Sequence, residues 1–221
     1  EAGEDPKALE CIPMLKRSDI KKEAAKIVNE ELTVDNSLFL YHDVCTNGIG
    51  YVDLMFKTDS IAPEQIPYLG LLKSVLGYVD TEHYTYGELF NEINANTGGI
   101  NCGVEVFDRA DSTEEFQAMF SVRGKALYTK MDFLFKMIGE ILNSSKLEDT
   151  KRLYEIVASV KSRAQVNLTG AGHSTAVLRA AAYSSPMAAF QDEMAGIGYY
   201  QFIEKLEKDF EQRKEETVEE L

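Results

Sequence analysis

Phe116-Gln117-Ala118-Met119-Phe120-Ser121-Val122-Arg123 alternates apolar and polar side chains at period two, and from Lys125 onward the period changes to that of a helix. The first stretch predicts a strand with Phe116, Ala118, Phe120 and Val122 on its core face. The second predicts helices with two stripes, one of Leu127, Met131, Leu134, Ile138 and Ile141 and one of Leu153, Ile156, Val157, Val160 and Ala164. Strands followed by a run of helices indicate an α+β fold.

Upstream, Ile100, Cys102, Val104 and Val106 alternate with Asn101, Gly103 and Glu105, and the loop Asp108 to Glu114 fits a hairpin to the strand above. Leu32-Thr33-Val34 and Leu38-Phe39-Leu40-Tyr41 flank the turn pair Asp35-Asn36. In Gly48 to Lys57, Val52, Leu54 and Phe56 share a core face, and Tyr51, Asp53 and Met55 share a mixed one. Pro63 to Val79 predicts a helix apolar almost all round, hence buried. Thr85 and Glu88 form a capping box, with Leu89, Ile93 and Phe90 as the stripe and Gly98-Gly99 as the stop. Thr169-Gly170-Ala171-Gly172 ends or kinks a helix. Shorter helices are expected over Ser174 to Tyr183 and Met187 to Met194, then a charged one from Tyr199 to the end with a Glu204–Lys208 pair. The expected architecture is a largely antiparallel sheet with helices packed on one face. Residues 1–29, broken by Pro6 and Pro13, form a connecting segment in which Ser18-Asp19 caps a short turn. Residues 30–203 form the α/β domain, and 204–221 a charged helix leading onward.

The chain carries 37 acidic against 23 basic residues, a net charge of −14. It therefore lacks the basic face on which nucleic-acid binding depends. An acidic surface keeps a protein soluble and favours basic partners. No apolar run reaches membrane-spanning length, and Glu1-Ala2-Gly3-Glu4-Asp5-Pro6 is no signal peptide, so a soluble, non-secreted protein is expected. A start without Met predicts a piece of a longer chain. The three cysteines, Cys11, Cys45 and Cys102, form no Cys-x-x-Cys pair and read as reduced thiols. Sequons at Asn143-Ser144-Ser145 and Asn167-Leu168-Thr169 matter only in a secreted protein.

The three histidines, His42, His83 and His173, have no second nitrogen ligand one helical turn away. His-Glu-x-x-His, its inverse and Gly-x-Ser-x-Gly are all absent, and Gly124-Lys125 lacks the rest of a phosphate loop. Cys102 lies on the apolar side of its strand and reads as a core thiol rather than as a nucleophile paired with His173. Thr169-Gly170-Ala171-Gly172-His173-Ser174 reads as a helix–helix corner or, less simply, as an anion site at a helix start.

Four stretches, in this order and spacing, carry a resemblance. They are Thr46-Asn47-Gly48-Ile49-Gly50-Tyr51-Val52-Asp53-Leu54-Met55-Phe56; Tyr84-Thr85-Tyr86-Gly87-Glu88-Leu89 running into Thr97-Gly98-Gly99-Ile100; Val122-Arg123-Gly124-Lys125-Ala126-Leu127; and Gly172-His173-Ser174. Together they resemble the presequence protease branch of the pitrilysin/insulinase zinc metallopeptidases. The narrower match is to the non-catalytic peptidase-associated domain that starts the C-terminal half. The resemblance implies a LuxS/MPP-like domain in a long chain of four related domains, whose two halves close around a chamber for unfolded peptides. It places zinc in the parent enzyme's first domain, on a His-x-x-Glu-His helix, and no cofactor, metal ligand or catalytic residue in this fragment. Tyr68-Leu69-Gly70-Leu71-Leu72 stands roughly where that motif would be, and its apolar side chains cannot ligate zinc. Residues 1–29 become the tail of the linker between the halves. The implied partners are the other domains of the same chain and basic, acid-poor peptides. Asp53 and Glu105 are the candidates for an acidic chamber wall, in a bacterial cytoplasm or an organelle matrix. The alternative is a free-standing, non-enzymatic binding or scaffold protein of the same fold. A hidden enzyme site around His173 would need a nearby carboxylate and a cleft.

Overall fold

The structure, a computed structural model, describes residues 11, 13–20, 22–23, 26, 28–112 and 115–221. Pro6 and the first ten residues of the expected connecting segment lie outside the described residues. The chain divides into two compact units, Glu1–Thr46 and Asn47–Leu221.

In the first unit Arg17–Asp19 is a single 3₁₀ turn, closed by the Lys16 amide donating to the Asp19 carboxylate at 2.8 Å. Strands β1 (Glu30–Val34) and β2 (Ser37–Tyr41) pair antiparallel with Val34 opposite Ser37. The two intervening residues, Asp35 and Asn36, have φ of 47° and 67°. That is the mirror-image turn whose twist matches a hairpin, and Asp and Asn tolerate it best after glycine. Every residue of both strands is exposed.

The second unit is built on a three-stranded antiparallel sheet in the order β3-β5-β4. Its strands are β3 (Ile49–Lys57), β4 (Ile100–Asp108) and β5 (Phe116–Leu127). Gly124 of β5 faces both Val52 and Ile100, so the central strand sets the register of its neighbours. Ala118, Phe120, Val122 and Ala126 of β5 are buried on one face, as the alternation predicts. The strand runs on through Leu127, which is 58% exposed and belongs to no helical stripe. The helical period expected from Lys125 starts only at Met131, because β3 continues to pair with β5 as far as Ile49↔Leu127.

The helices are α1 (Ile66–Val75), α2 (Tyr86–Asn96), α3 (Met131–Ser144), α4 (Thr150–Gly170), α5 (Gly172–Ala181), α6 (Pro186–Ala195), α7 (Ile197–Lys208) and α8 (Phe210–Glu220). They enclose two apolar cores. The first lies between the sheet and α1, α2, α3 and α6, around Val122, Leu89, Leu134 and Met137. The second is wholly helical, around Leu71, Leu153, Val157, Ile203 and Leu206. Helix α1 serves both: Leu69 enters the first core, and Leu71 and Val75 enter the second. That is why its sequence is apolar all round.

Three local expectations are corrected. Helix α1 stops at Val75 rather than Val79, because Gly77 at φ 84° turns the chain out of helical geometry. In α2 the capping box forms, with the Thr85 amide donating to Glu88 Oε2 at 3.0 Å and the Glu88 amide to Thr85 Oγ1 at 3.3 Å. Phe90, however, leaves the stripe and stands 57% exposed. The C-terminal charged helix is two helices broken at Asp209, and Glu204 accepts from the Tyr200 hydroxyl at 2.8 Å in place of the expected Lys208 pair.

Candidate functional site: the open sheet face

Within the second unit the helices cover one face of the sheet and leave the other open. By register and alternation the open face carries Tyr51, Asp53 and Met55 of β3, Ser121, Arg123 and Lys125 of β5, and Asn101, Glu105 and Phe107 of β4. Tyr51, Met55 and Phe107 are exposed aromatic or apolar groups, an uncommon concentration for a sheet surface.

Asp53 and Glu105, picked out as single residues, lie on different edge strands. The structure brings them together through Arg123 at the centre of the middle strand. Arg123 Nε donates to Asp53 Oδ2 at 2.7 Å, and Nη1 lies 3.1 Å from Glu105 Oε1. Asp53 is directly opposite Arg123, whereas Glu105 reaches it from across the other edge. Half the Arg123 side chain stays in solvent, so the triad is a surface network of modest strength. Lys57 and Lys125 share the face by the same alternation, so its charge is balanced rather than acidic. The acidity of the chain lies elsewhere on its surface. Arg123 itself went unremarked in the sequence. Its position on the polar parity of the clearest strand was the available signal.

Tyr68 to Leu72 lie on α1, where Tyr68, Leu69, Gly70 and Leu71 are all buried. The Tyr68 hydroxyl donates to Glu216 Oε1 at 3.2 Å and accepts from Arg213 Nη2 at 2.8 Å, and burial pushes its pKa up to about 12. A phenol committed to an ion pair, beside leucines, does not fit zinc, which takes thiolate, imidazole or carboxylate ligands. Among the described residues no three His, Cys, Asp or Glu side chains converge as a metal site would require.

His83, by contrast, has a partner that sequence spacing hid. Its Nδ1 lies 3.1 and 3.0 Å from the two oxygens of the buried Glu140, 57 residues away, and its amide donates to Oε1 at 3.2 Å. The Thr81 hydroxyl, and after it the His83 amide and ring, holds the Glu140 carboxyl below the usual carboxylate range against the opposing effect of burial. This cluster staples the segment before α2 onto α3. His173 is exposed at the start of α5. Burial raises the Cys102 thiol to about 11, so it is no thiolate at neutral pH. The stretch Thr169 to Ser174 is the corner where α4 ends at Gly170 and α5 begins at Gly172.

No helix among the described residues is long and apolar enough to cross a membrane. A family model for the associated domain of the metallopeptidase family 16C matches residues 1–206. The chain is 37% identical over 201 residues to Protein HypA of Clostridium perfringens, covering 91% of this chain and 21% of that protein. It is 29% identical over 208 residues to presequence protease 1, chloroplastic/mitochondrial, of Arabidopsis thaliana, covering 94% and 19%. To the mitochondrial presequence protease of Yarrowia lipolytica it is 28% identical over 215 residues, covering 97% and 22%. The chain thus spans about a fifth of the length of the curated relatives it matches. The resemblance read from the sequence is borne out, and the chain belongs to the family of domains associated with the 16C metallopeptidases.

Proposed function

We propose that this chain is a non-catalytic domain of a zinc metalloendopeptidase that degrades unfolded peptides, and that the open face of β3-β5-β4 forms part of the wall of its substrate chamber. The observation that carries the reading is that uncovered face, with Tyr51, Met55 and Phe107 beside the Asp53–Arg123–Glu105 network. Exposed aromatic and apolar groups hold the apolar side of an extended peptide. The carboxylates on either side of Arg123 take its Lys and Arg side chains, and the guanidinium keeps the acids apart and oriented. The relatives named presequence proteases support a peptidase as the parent. Zinc belongs to the parent's first domain, since the donor set on α1 does not fit it. The partners are the other domains of the same chain and basic, unfolded peptides, met in a bacterial cytoplasm or an organelle matrix.

The test is kinetic and uses the parent protein. The double variant Asp53→Asn, Glu105→Gln is expected to raise KM for a basic peptide by roughly five-fold, about 1 kcal/mol, with kcat held. A neutral peptide of equal length should be unaffected. An unchanged KM for the basic peptide would remove the two acids from the wall. A free-standing scaffold predicts no peptide turnover at all.

A further inference from the structure

Strand β3 is an edge that nothing among the described residues of the second unit blunts. The Gly48 carbonyl accepts from the Tyr128 amide at 2.9 Å, and the Thr58 amide donates to the Ala118 carbonyl at 3.4 Å. Both pairs fall in the register that sets Ile49 opposite Leu127. The even-numbered residues of β3 therefore direct their amides and carbonyls at β5, and Ile49, Tyr51, Asp53, Met55 and Lys57 direct theirs outward. Among the described residues no backbone hydrogen bond reaches those outward groups.

Natural edge strands are short, or carry proline, a bulge or several charges. This one has nine residues, no proline and an unbroken register, and its one mid-strand charge, Asp53, is engaged by Arg123. The core also thins toward it. Val122 and Phe120 of β5 are buried, whereas Val52 and Leu54 on the same side of β3 are half-buried and Phe56 is 46% exposed. At the opposite edge α1 and α6 pack on β4.

We infer that a further strand pairs with the outer edge of β3, and that it comes from a segment of the parent protein outside residues 1–221. A second copy of this chain is disfavoured as occupant by the repulsion between two bodies each of charge −14. A segment of the same polypeptide meets no such penalty, and the relatives are about five times as long as the chain.

Hydrogen exchange on the peptide-free parent protein tests this. The outward amides of Tyr51, Asp53 and Met55 are expected to exchange as slowly as the inward ones of Val52 and Leu54, on the order of a hundredfold or more slower than an open edge. Met55→Pro deletes an outward donor and leaves every β5 bond in place. It should free the Tyr51 and Asp53 amides while those of Val52 and Leu54 stay protected. Free exchange of the outward amides in the unmodified parent overturns the inference. Protection that appears only with added peptide, or only as dimers form at high concentration, overturns it equally, since the edge would then serve substrate or self-association. Any of these results leaves the chamber-wall reading to its own kinetic test.

Discussion

Asp192 is 1% exposed and never looked like a key residue in the sequence, where it sits inside an apolar helix. Its carboxylate accepts from the amides of Ile197 and Gly198 at 3.0 Å each and pairs with Arg179 of α5. One buried group thus satisfies the first turn of α7 and ties it to α5 and α6. Removing one partner of a buried pair leaves the other uncompensated, so Asp192→Ala should cost about 3–5 kcal/mol, measured by urea denaturation. Loss of under about 1 kcal/mol would mean that water replaces the carboxylate. Glu140 supplies a pH-dependent counterpart. Its folded pKa lies below the unfolded value, so its contribution is present above the ordinary glutamate range and is lost as the pH falls through the folded pKa. Glu140→Gln should flatten the acid limb of the stability–pH curve. An unchanged acid limb would show that the Thr81–His83 cluster carries no such stability. Neither residue was legible beforehand, because each acts through partners that only tertiary structure assembles. Thr85 and Glu88 were legible, since a capping box needs only a spacing of three.

At the scale of elements, periodicity located the strands and most helices, and local backbone chemistry moved their ends. Gly77 shortens α1, and the pairing of β3 with β5 lengthens the central strand beyond its alternating stretch. The tightest packing falls on α1. A Cβ placed on Gly70 would stand 2.8 Å from the Tyr199 ring and 3.0 Å from the Met194 carbonyl oxygen. Alanine is intrinsically the better helix former by about 1 kcal/mol. Here the sign should reverse, and Gly70→Ala should destabilise by about 1–2 kcal/mol through overpacking. A rise in melting temperature would show that α1 and α7 separate easily. The same contact explains why the stretch read as a displaced zinc motif is sealed. Tyr199 covers Gly70, and α8 holds Tyr68 through Arg213 and Glu216. Residues 210–220 therefore pack into the second core, although the family match ends at residue 206.

For the whole molecule, the fold class, the order of elements and the family were legible because they follow from patterns along the chain. The site was legible only in part. Asp53 and Glu105 were placed on the open parity of their strands, but the arginine between them depends on the register of three strands far apart in sequence. The global charge misled locally, since a chain of charge −14 presents a sheet face on which Arg123, Lys57 and Lys125 offset the acids. Selectivity for basic peptides at that face then rests on where each charge sits and not on its sum. The most direct test is to map where substrate lies. A basic peptide bearing a photo-crosslinking residue would be bound to the parent protein with turnover stopped by a chelator, and the adducts located by mass spectrometry. Adducts on Tyr51, Met55, Arg123 or Phe107 are the predicted result. Adducts confined to the helical side, or found only outside residues 47–221, would contradict the account.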